Sequence, residues 1–387
     1  MRQYIFRILI IIMIVSNVNA TERFHQAIAT FHEQNILNAE ISVVDKDRLL
    51  FHEQIGFADI EKQQPFSHQM LFPIASLTKQ FTAAAILILH DAGLCEFNVP
   101  IIYYLPREHA IWQGKVPAWA NEITLHHLLT HTSGIQSYTE LSWDNIETVE
   151  DEVILSTLLS SIAKRPLQFT PGKKFEYSNT GYLLLGVIVA ELSKEKDFSA
   201  FLHHHIFKPL EMHNTFLPSV TKERELINNI NQDNGFPKRY TAVLSNVNAI
   251  IMPVNKLRFK APFGGGAGMI STAEDLIKWH QGLYQGRLLS ARALQLMTTA
   301  HIQSNDPFFG PIKYGYGIFI NDYDKNNVIY EHGGWIEGIR TELSYSLKRQ
   351  RTVMILSNVS ADEEQKETDL NHQTKKLHQL AQQLQGI

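Results

Sequence analysis

Ser76 and Lys79 stand three residues apart in Phe72-Pro73-Ile74-Ala75-Ser76-Leu77-Thr78-Lys79. On one turn of a helix that spacing puts both side chains on the same face, so the amine reaches the hydroxyl. A serine hydroxyl becomes a useful nucleophile when a neighbour takes its proton, and a lysine held neutral by its surroundings is such a neighbour. The run Phe81 to Leu89 is apolar almost all round and Gly93 closes it, which predicts a buried helix with Ser76 at its tip. A helix N-terminus also points N–H groups at whatever negative charge develops there. Ser161, Ser193 and Ser219 have the same lysine spacing. They fall at a Lys-Arg-Pro helix end, in a charged stretch and behind a proline, where a solvated turn explains them.

Two further stretches carry groups suited to acyl-transfer chemistry. In Phe175-Glu176-Tyr177-Ser178-Asn179-Thr180-Gly181, Tyr177 and Asn179 are two apart and point the same way if the loop is extended. A tyrosine beside a lysine ammonium has a lowered pKa and acts as a base. The Asn179 amide is placed to donate to a substrate carbonyl and to steady the lysine, or to cap the apolar helix that starts at Leu183. The second stretch is Glu331-His332-Gly333-Gly334-Trp335-Ile336-Glu337-Gly338-Ile339-Arg340. Paired glycines at the end of a strand admit a ligand backbone lying like an added edge strand, and His332 supplies a donor or, protonated, a positive charge. Lys313-Tyr314-Gly315 and His280-Gln281-Gly282 compete for this role. His332 is preferred because strands flank it on both sides.

The elements that must hold these groups follow from the rest of the 387 residues. The net charge is −4 and no basic stripe stands out, which argues against nucleic acid as a partner. Residues 1–20 have a positive start, an apolar run from Ile8 to Val15 and Val18-Asn19-Ala20 at the end. They are expected to be a cleavable signal peptide giving periplasmic or secreted protein, with no stable membrane anchor afterwards. Cys95 is the single cysteine, so no internal disulfide is available, and its neighbours suggest a small buried side chain. His126, His127 and His131, and His203 to His205, lack a recognisable ligand spacing and are expected on polar helix faces rather than on a metal. Strand patterns fall at Glu40–Val44, Arg48–Gln54, Tyr316–Ile320, Asn327–Glu331, Thr341–Leu347 and Thr352–Asn358. Helical patterns fall at Phe24–Ile36, Val149–Ala163 and the C-terminal stretch through Leu377, Leu380 and Leu384. Strands at both ends with helix and loop between predict an α+β protein. Its sheet domain comes from residues 21–93 and 264–387, and a mainly helical domain, 94–263, is inserted.

In this order, the three motifs resemble those of the penicillin-recognising serine hydrolases: the class C β-lactamase, D-Ala-D-Ala carboxypeptidase, D-aminopeptidase and related esterase family. The likeness extends to Leu128-Leu129-Thr130-His131-Thr132-Ser133-Gly134, Pro209-Leu210-Glu211-Met212 and Gly264-Gly265-Gly266-Ala267-Gly268-Met269-Ile270-Ser271-Thr272-Ala273-Glu274-Asp275-Leu276, and covers nearly all the chain after residue 20. The resemblance implies the β-lactamase/transpeptidase-like fold, an antiparallel sheet flanked by helices. It implies that Ser76 forms an acyl-enzyme, that Lys79 and Tyr177 move protons with the acylation base left open, and that Asn179 orients the substrate. The oxyanion hole falls on the backbone N–H groups of Ser76 and Trp335, and no cofactor is needed. Where β-lactamases of the family usually carry Lys-Thr-Gly, this chain has His332-Gly333-Gly334, the usual form among peptidase and esterase relatives. Arg340 is placed to supply the missing charge or to make a surface salt bridge, and Trp335 shapes the pocket. The expected activity is hydrolysis of an amide or peptide, most readily one containing a D-amino acid. A family esterase, a weak β-lactamase and a non-catalytic regulatory protein on the same fold are the alternatives.

Overall fold

The computed structural model describes residues 20–33, 37–67, 69–140, 158–218, 235–244, 249–254, 264–307, 309–322, 324–361 and 367–386. Residues 1–19 of the expected signal peptide and 149–157 of the expected Val149–Ala163 helix lie outside them. No described helix is long and apolar enough to cross a membrane.

Eight strands form one antiparallel sheet in the order β2-β1-β12-β11-β10-β9-β8-β7. They are β1 (Ala39–Asp45), β2 (Arg48–Ile55), β7 (Ile302–Asp306), β8 (Gly310–Tyr314), β9 (Phe319–Asn321), β10 (Ile329–Ile336), β11 (Ile339–Ser346) and β12 (Arg351–Ser357). The two chain ends meet where β1 pairs with β12. Strand side chains alternate between faces, and β12 shows what each face is for. Val353 and Ile355 pack with Phe24, Ile28, Leu380 and Leu384 of helices α1 (residues 20–33) and α9 (Glu367–Gly386). Met354 and Leu356 pack into the main core with α2 (Thr78–Asp91). Both faces are therefore covered, and the fold is α+β.

Helix α2 runs through that core, buried from Thr78 to Leu87 and again at Leu89. Phe81 stacks on Trp279 with centroids 3.9 Å apart. Beside α2 lie α5 (Asn179–Ser193) and α6 (Phe198–Leu202), and α3 (Leu125–Leu129) and α4 (158–163) belong to the same core. Helices α7 (Ala273–Tyr284) and α8 (Ala291–Thr298) follow later in the chain. Cys95 is buried with its thiol on the Ile86 carbonyl at 3.7 Å, and burial together with nearby Glu96 pushes it up to about 12.

The strand pattern departs from the sequence expectation: β7 and β8 have no predicted counterpart, and other differences accompany them. The segment Tyr316–Ile320 is not one strand: Tyr316 N–H bonds the Met297 carbonyl at the end of α8, leaving the ladder, and only Phe319–Asn321 returns as β9. β10 does not stop before the glycines but continues through them to Ile336. The region 94–263 also holds a hairpin, β4 (Tyr240–Leu244) and β5 (Ala249–Pro253), which joins β13 (Val359–Ala361) in a separate small sheet. The short pair β3 (Phe72–Pro73) and β6 (Ile270–Ser271) fixes the entry to Ser76.

Candidate active site

The approach to Ser76 is bent by Ala75, whose φ is +48°, a left-handed value that costs a non-glycine residue about 1–2 kcal/mol. Ser76 follows in a short 3-10 turn, Ala75–Leu77, that feeds directly into α2. Its side chain is half-buried, while Lys79, one turn deeper, is fully buried. Lys79 Nζ lies 3.0 Å from Ser76 Oγ, 2.7 Å from Asn179 Oδ1 and 2.6 Å from the Gly266 carbonyl. The last two atoms only accept hydrogen bonds. A neutral amine has two N–H groups for them and one lone pair, which then faces the serine hydroxyl. Burial drives Lys79 well below the ordinary lysine range, and among the described residues no carboxylate forms an ion pair with it. Burial thus favours the uncharged amine, whose lone pair then faces Ser76 Oγ.

Asn179 is the first residue of α5, and its backbone N–H donates to Ser137 Oγ at 3.2 Å. That bond aims the amide oxygen at Lys79 across 100 residues of sequence. Tyr177 precedes the helix in the connecting loop, its hydroxyl hydrogen-bonded to Ser76 and its ring 4.8 Å from Lys79 Nζ. The lowered pKa expected from the sequence is not found. Burial raises Tyr177 and the hydrogen bond with Ser76 offsets it only in part, so the phenol keeps its proton. His131 holds the ring in place, stacked on Tyr177 at 4.2 Å and accepting at Nδ1 from the Ser178 N–H at 3.1 Å. Burial, with Lys79 and His332 close by, lowers its pKa and keeps it neutral.

β10 closes the third side. His332 is buried among Tyr177, Tyr314 and Phe319. Its Nδ1 donates to the Gly333 carbonyl at 2.6 Å, which leaves Nε2 to accept from the Tyr314 hydroxyl at 3.3 Å. Burial and the nearby Lys79 push His332 down to about 3, so it acts as a neutral hydrogen-bonding group, not the positive charge offered as one sequence alternative. The rival Tyr314 is therefore its partner, while Lys313 pairs with Asp322. His280 is buried on α7 near Thr352 and Tyr345 and plays no part in the site.

β9 pairs with β10 only from Ile329 to Glu331. The edge from His332 to Ile336 thus has no strand partner on that side among the described residues, and it borders a cavity of about 1130 Å³ shared with Ser76, Tyr177 and Asn179. A side chain on Gly334 would place its Cβ 2.5 Å from the Ile74 carbonyl and 2.3 Å from Thr341 Oγ1. The strand thus crosses against the turn that carries Ser76 and brings the next residue, Trp335, alongside it. Gly334→Ala is expected to displace this crossing, lowering kcat by about 100-fold and stability by about 1–3 kcal/mol; ester turnover and a urea melt of the variant check both. Trp335 and Arg340 are direct cross-strand partners, on the sheet face opposite His332 and Gly334. The guanidinium lies 5.0 Å over the indole ring and is 4 % exposed. The pair packs as a buried cation–π contact, and both residues border the cavity where it wraps round the edge of β10.

The beta-lactamase family model matches residues 23–376. The chain belongs to the beta-lactamase family. It is 26% identical over 351 residues to penicillin-binding protein 4* of Bacillus subtilis, covering 89% of this chain and 73% of that protein. It is also 26% identical over 331 residues to protein flp of Staphylococcus aureus, covering 85% of this chain and 61% of flp. Among solved structures, D-amino acid amidase from Ochrobactrum anthropi SV3 superimposes with a TM-score of 0.73 at 20% identity, covering 96% of this chain and 99% of that one. The hydrolase EstCE1 does so with a TM-score of 0.74 at 17% identity, over the same shares. These likenesses place the chain on the fold of the penicillin-binding-like serine hydrolases.

Within that family frame, two stretches noted in the sequence only as structural marks prove to touch the site. Gly264–Gly266 forms a 3-10 turn flat against α5: a Cβ on Gly265 would lie 2.4 Å from the Tyr182 carbonyl. This close approach delivers the Gly266 carbonyl to Lys79 and the Gly265 carbonyl to Thr82 Oγ1 at 2.7 Å. His131, expected on a polar helix face, is instead buried in the site, and Ser137 is a further contributor that the sequence did not single out. The remaining histidines lie elsewhere. His126 bonds the Tyr316 hydroxyl, His127 completes the capping box of α3, and His204 and His205 face Glu195.

Proposed function

We propose that this chain is an exported serine hydrolase that cleaves amide or peptide bonds, with D-amino-acid substrates preferred, through an acyl-enzyme on Ser76. The observation that carries the proposal is the fully buried Lys79 amine 3.0 Å from Ser76 Oγ, its other two neighbours being carbonyl oxygens. Lys79 takes the serine proton as Oγ adds to the substrate carbonyl. The protonated Tyr177 hydroxyl, hydrogen-bonded to Ser76, gives a proton to the departing amine and regains one from the Lys79 ammonium. Water then releases the acyl group, its proton leaving by the same groups. The N–H groups of Ser76 and Trp335 hold the developing oxyanion; each such donor is worth about 10²–10³ in rate. The free edge of β10 holds the extended substrate, with His332 and Asn179 orienting it.

Relatives named penicillin-binding protein and D-amino acid amidase support the D-configured amide. The likeness to EstCE1, described as a hydrolase with promiscuous acyltransferase activity, supports an esterase as the second reading. A purely regulatory role fits poorly with Ser76, Lys79 and Tyr177 brought into hydrogen-bonding reach. The test is the intact mass of the protein expressed with its own leader, before and after benzylpenicillin. The expected result is a chain beginning at Thr21 that gains one covalent adduct, mapped to the peptide carrying Ser76. Absence of an adduct, together with no turnover of D-amino acid amides or p-nitrophenyl esters, overturns the reading; a retained leader overturns export.

A further inference from the structure

Behind the third motif, on the sheet face that carries α9, two carboxylates and an imidazole converge. Glu331 on β10 and Glu342 on β11 are diagonal neighbours, since Glu342 pairs with Gly333 and Glu331 with Ser344. They are 5 % and 4 % exposed. His378 reaches down from α9 with Nε2 3.2 Å from Glu331 Oε1 and Nδ1 3.3 Å from Glu342 Oε1. Gln382, one turn further along α9, places its amide 2.7 Å from His378 Nε2. One ligand atom from each of Glu331, Glu342 and His378 lies within 4.8 Å of the others.

Two carboxylates buried side by side repel each other and lose their hydration, which is costly unless a cation compensates both charges. A proton on His378 supplies one positive charge. A divalent ion supplies both charges. An imidazole with two carboxylates suits Zn²⁺, which takes nitrogen and oxygen ligands at about 2.0–2.2 Å and completes its shell with water. All three residues border the cavity, so water and the ion have a route in.

We propose that Glu331, Glu342 and His378 form a divalent-cation site of the Zn²⁺ type. The ion would pin α9 to β10 and β11 directly behind Gly333, where Glu342 Oε2 already lies 3.0 Å from the position a Gly333 Cβ would take. It would stiffen the edge that holds the substrate without touching Ser76. The site is independent of the acyl-transfer reading.

The test uses the untagged chain, freed of metal with chelator, titrated with ZnCl₂ in a calorimeter and melted with and without the ion. One ion per chain is expected, with a melting temperature about 5 °C higher at a hundredfold excess over Kd. Glu331→Gln and Glu342→Gln keep side-chain shape while removing ligand charge. Each should weaken binding at least about tenfold, as should His378→Ala. The proposal is overturned if the unmutated chain takes up no ion. It is equally overturned if both glutamine variants bind as well as it does, which would place the ion on surface histidines such as His203 to His205.

Discussion

Ser76→Ala should lower kcat for both ester and amide substrates by about 10⁴-fold or more while the protein still folds. Removing the nucleophile of a serine hydrolase leaves only what binding and oxyanion stabilisation contribute without it. The loss of fold stability is expected to be small because of where the oxygen sits. Ser76 is half-buried at the rim of the cavity, and its Oγ bonds Lys79 and Tyr177. Hydrogen bonds of this kind contribute about 1 kcal/mol each. The strain at Ala75 and the 3-10 turn are held by other contacts, among them the Ile74 N–H on the Met269 carbonyl and Thr78 Oγ1 on the Ala75 carbonyl. Steady-state kinetics beside a thermal melt separate the two effects. A variant keeping more than about 1 % of the activity would remove Ser76 from the chemistry.

Lys79→Met should cost about 10³–10⁴ in kcat/KM, the upper part of what a positioned general base contributes. The variant also separates the base from the nucleophile, because Ser76 and the cavity remain. The pH behaviour gives the assignment its sign. The amine works when neutral, so activity of the unmutated enzyme is present above the folded pKa of Lys79 and is lost as pH falls through it. Burial sets that pKa well below the ordinary lysine value. The acid limb of the kcat/KM profile should therefore vanish in Lys79→Met. Stability responds in step. In the unfolded chain the lysine holds its proton up to about pH 10.4, whereas the folded chain releases it earlier. Between those two values the unfolded state binds more protons, so stability rises with pH. Urea midpoints of the two proteins, compared from about pH 7 to 10, should show the unmutated enzyme gaining on the variant. An acid limb preserved in Lys79→Met would transfer the role of base to another group.

The comparison of residues with their neighbours shows which features are local. Ser76 and Lys79 were legible because three residues on a helical turn share a face whatever the rest of the chain does. The strands at both ends were legible because the alternation Ile41-Ser42-Val43 and the short apolar run Val353-Met354-Ile355-Leu356 are written residue by residue. β7 was not legible: Gln303, Ser304 and Asn305 carry no apolar alternation, and the strand exists because β8 offers it a ladder. The hairpin at Tyr240 to Pro253 was missed for the same reason, its pairing with β13 lying more than a hundred residues away in sequence.

The site divides along the same line. Residue types and order alone pointed to Ser76, its lysine, the tyrosine-asparagine pair and the glycine-rich strand. Tertiary structure alone decided their protonation states and their supports. Burial drives Lys79 toward its uncharged form, and the carbonyl oxygens of Asn179, 100 residues on, and Gly266, 187 residues on, fix where its N–H groups point. Tyr177 keeps its proton, and His332 stays neutral, because both are buried. His131 enters the site by stacking on a ring 46 residues downstream. Burial and charge proximity depend on what the whole chain brings to one point. A linear sequence carries the groups and their local geometry, but not the dielectric around them.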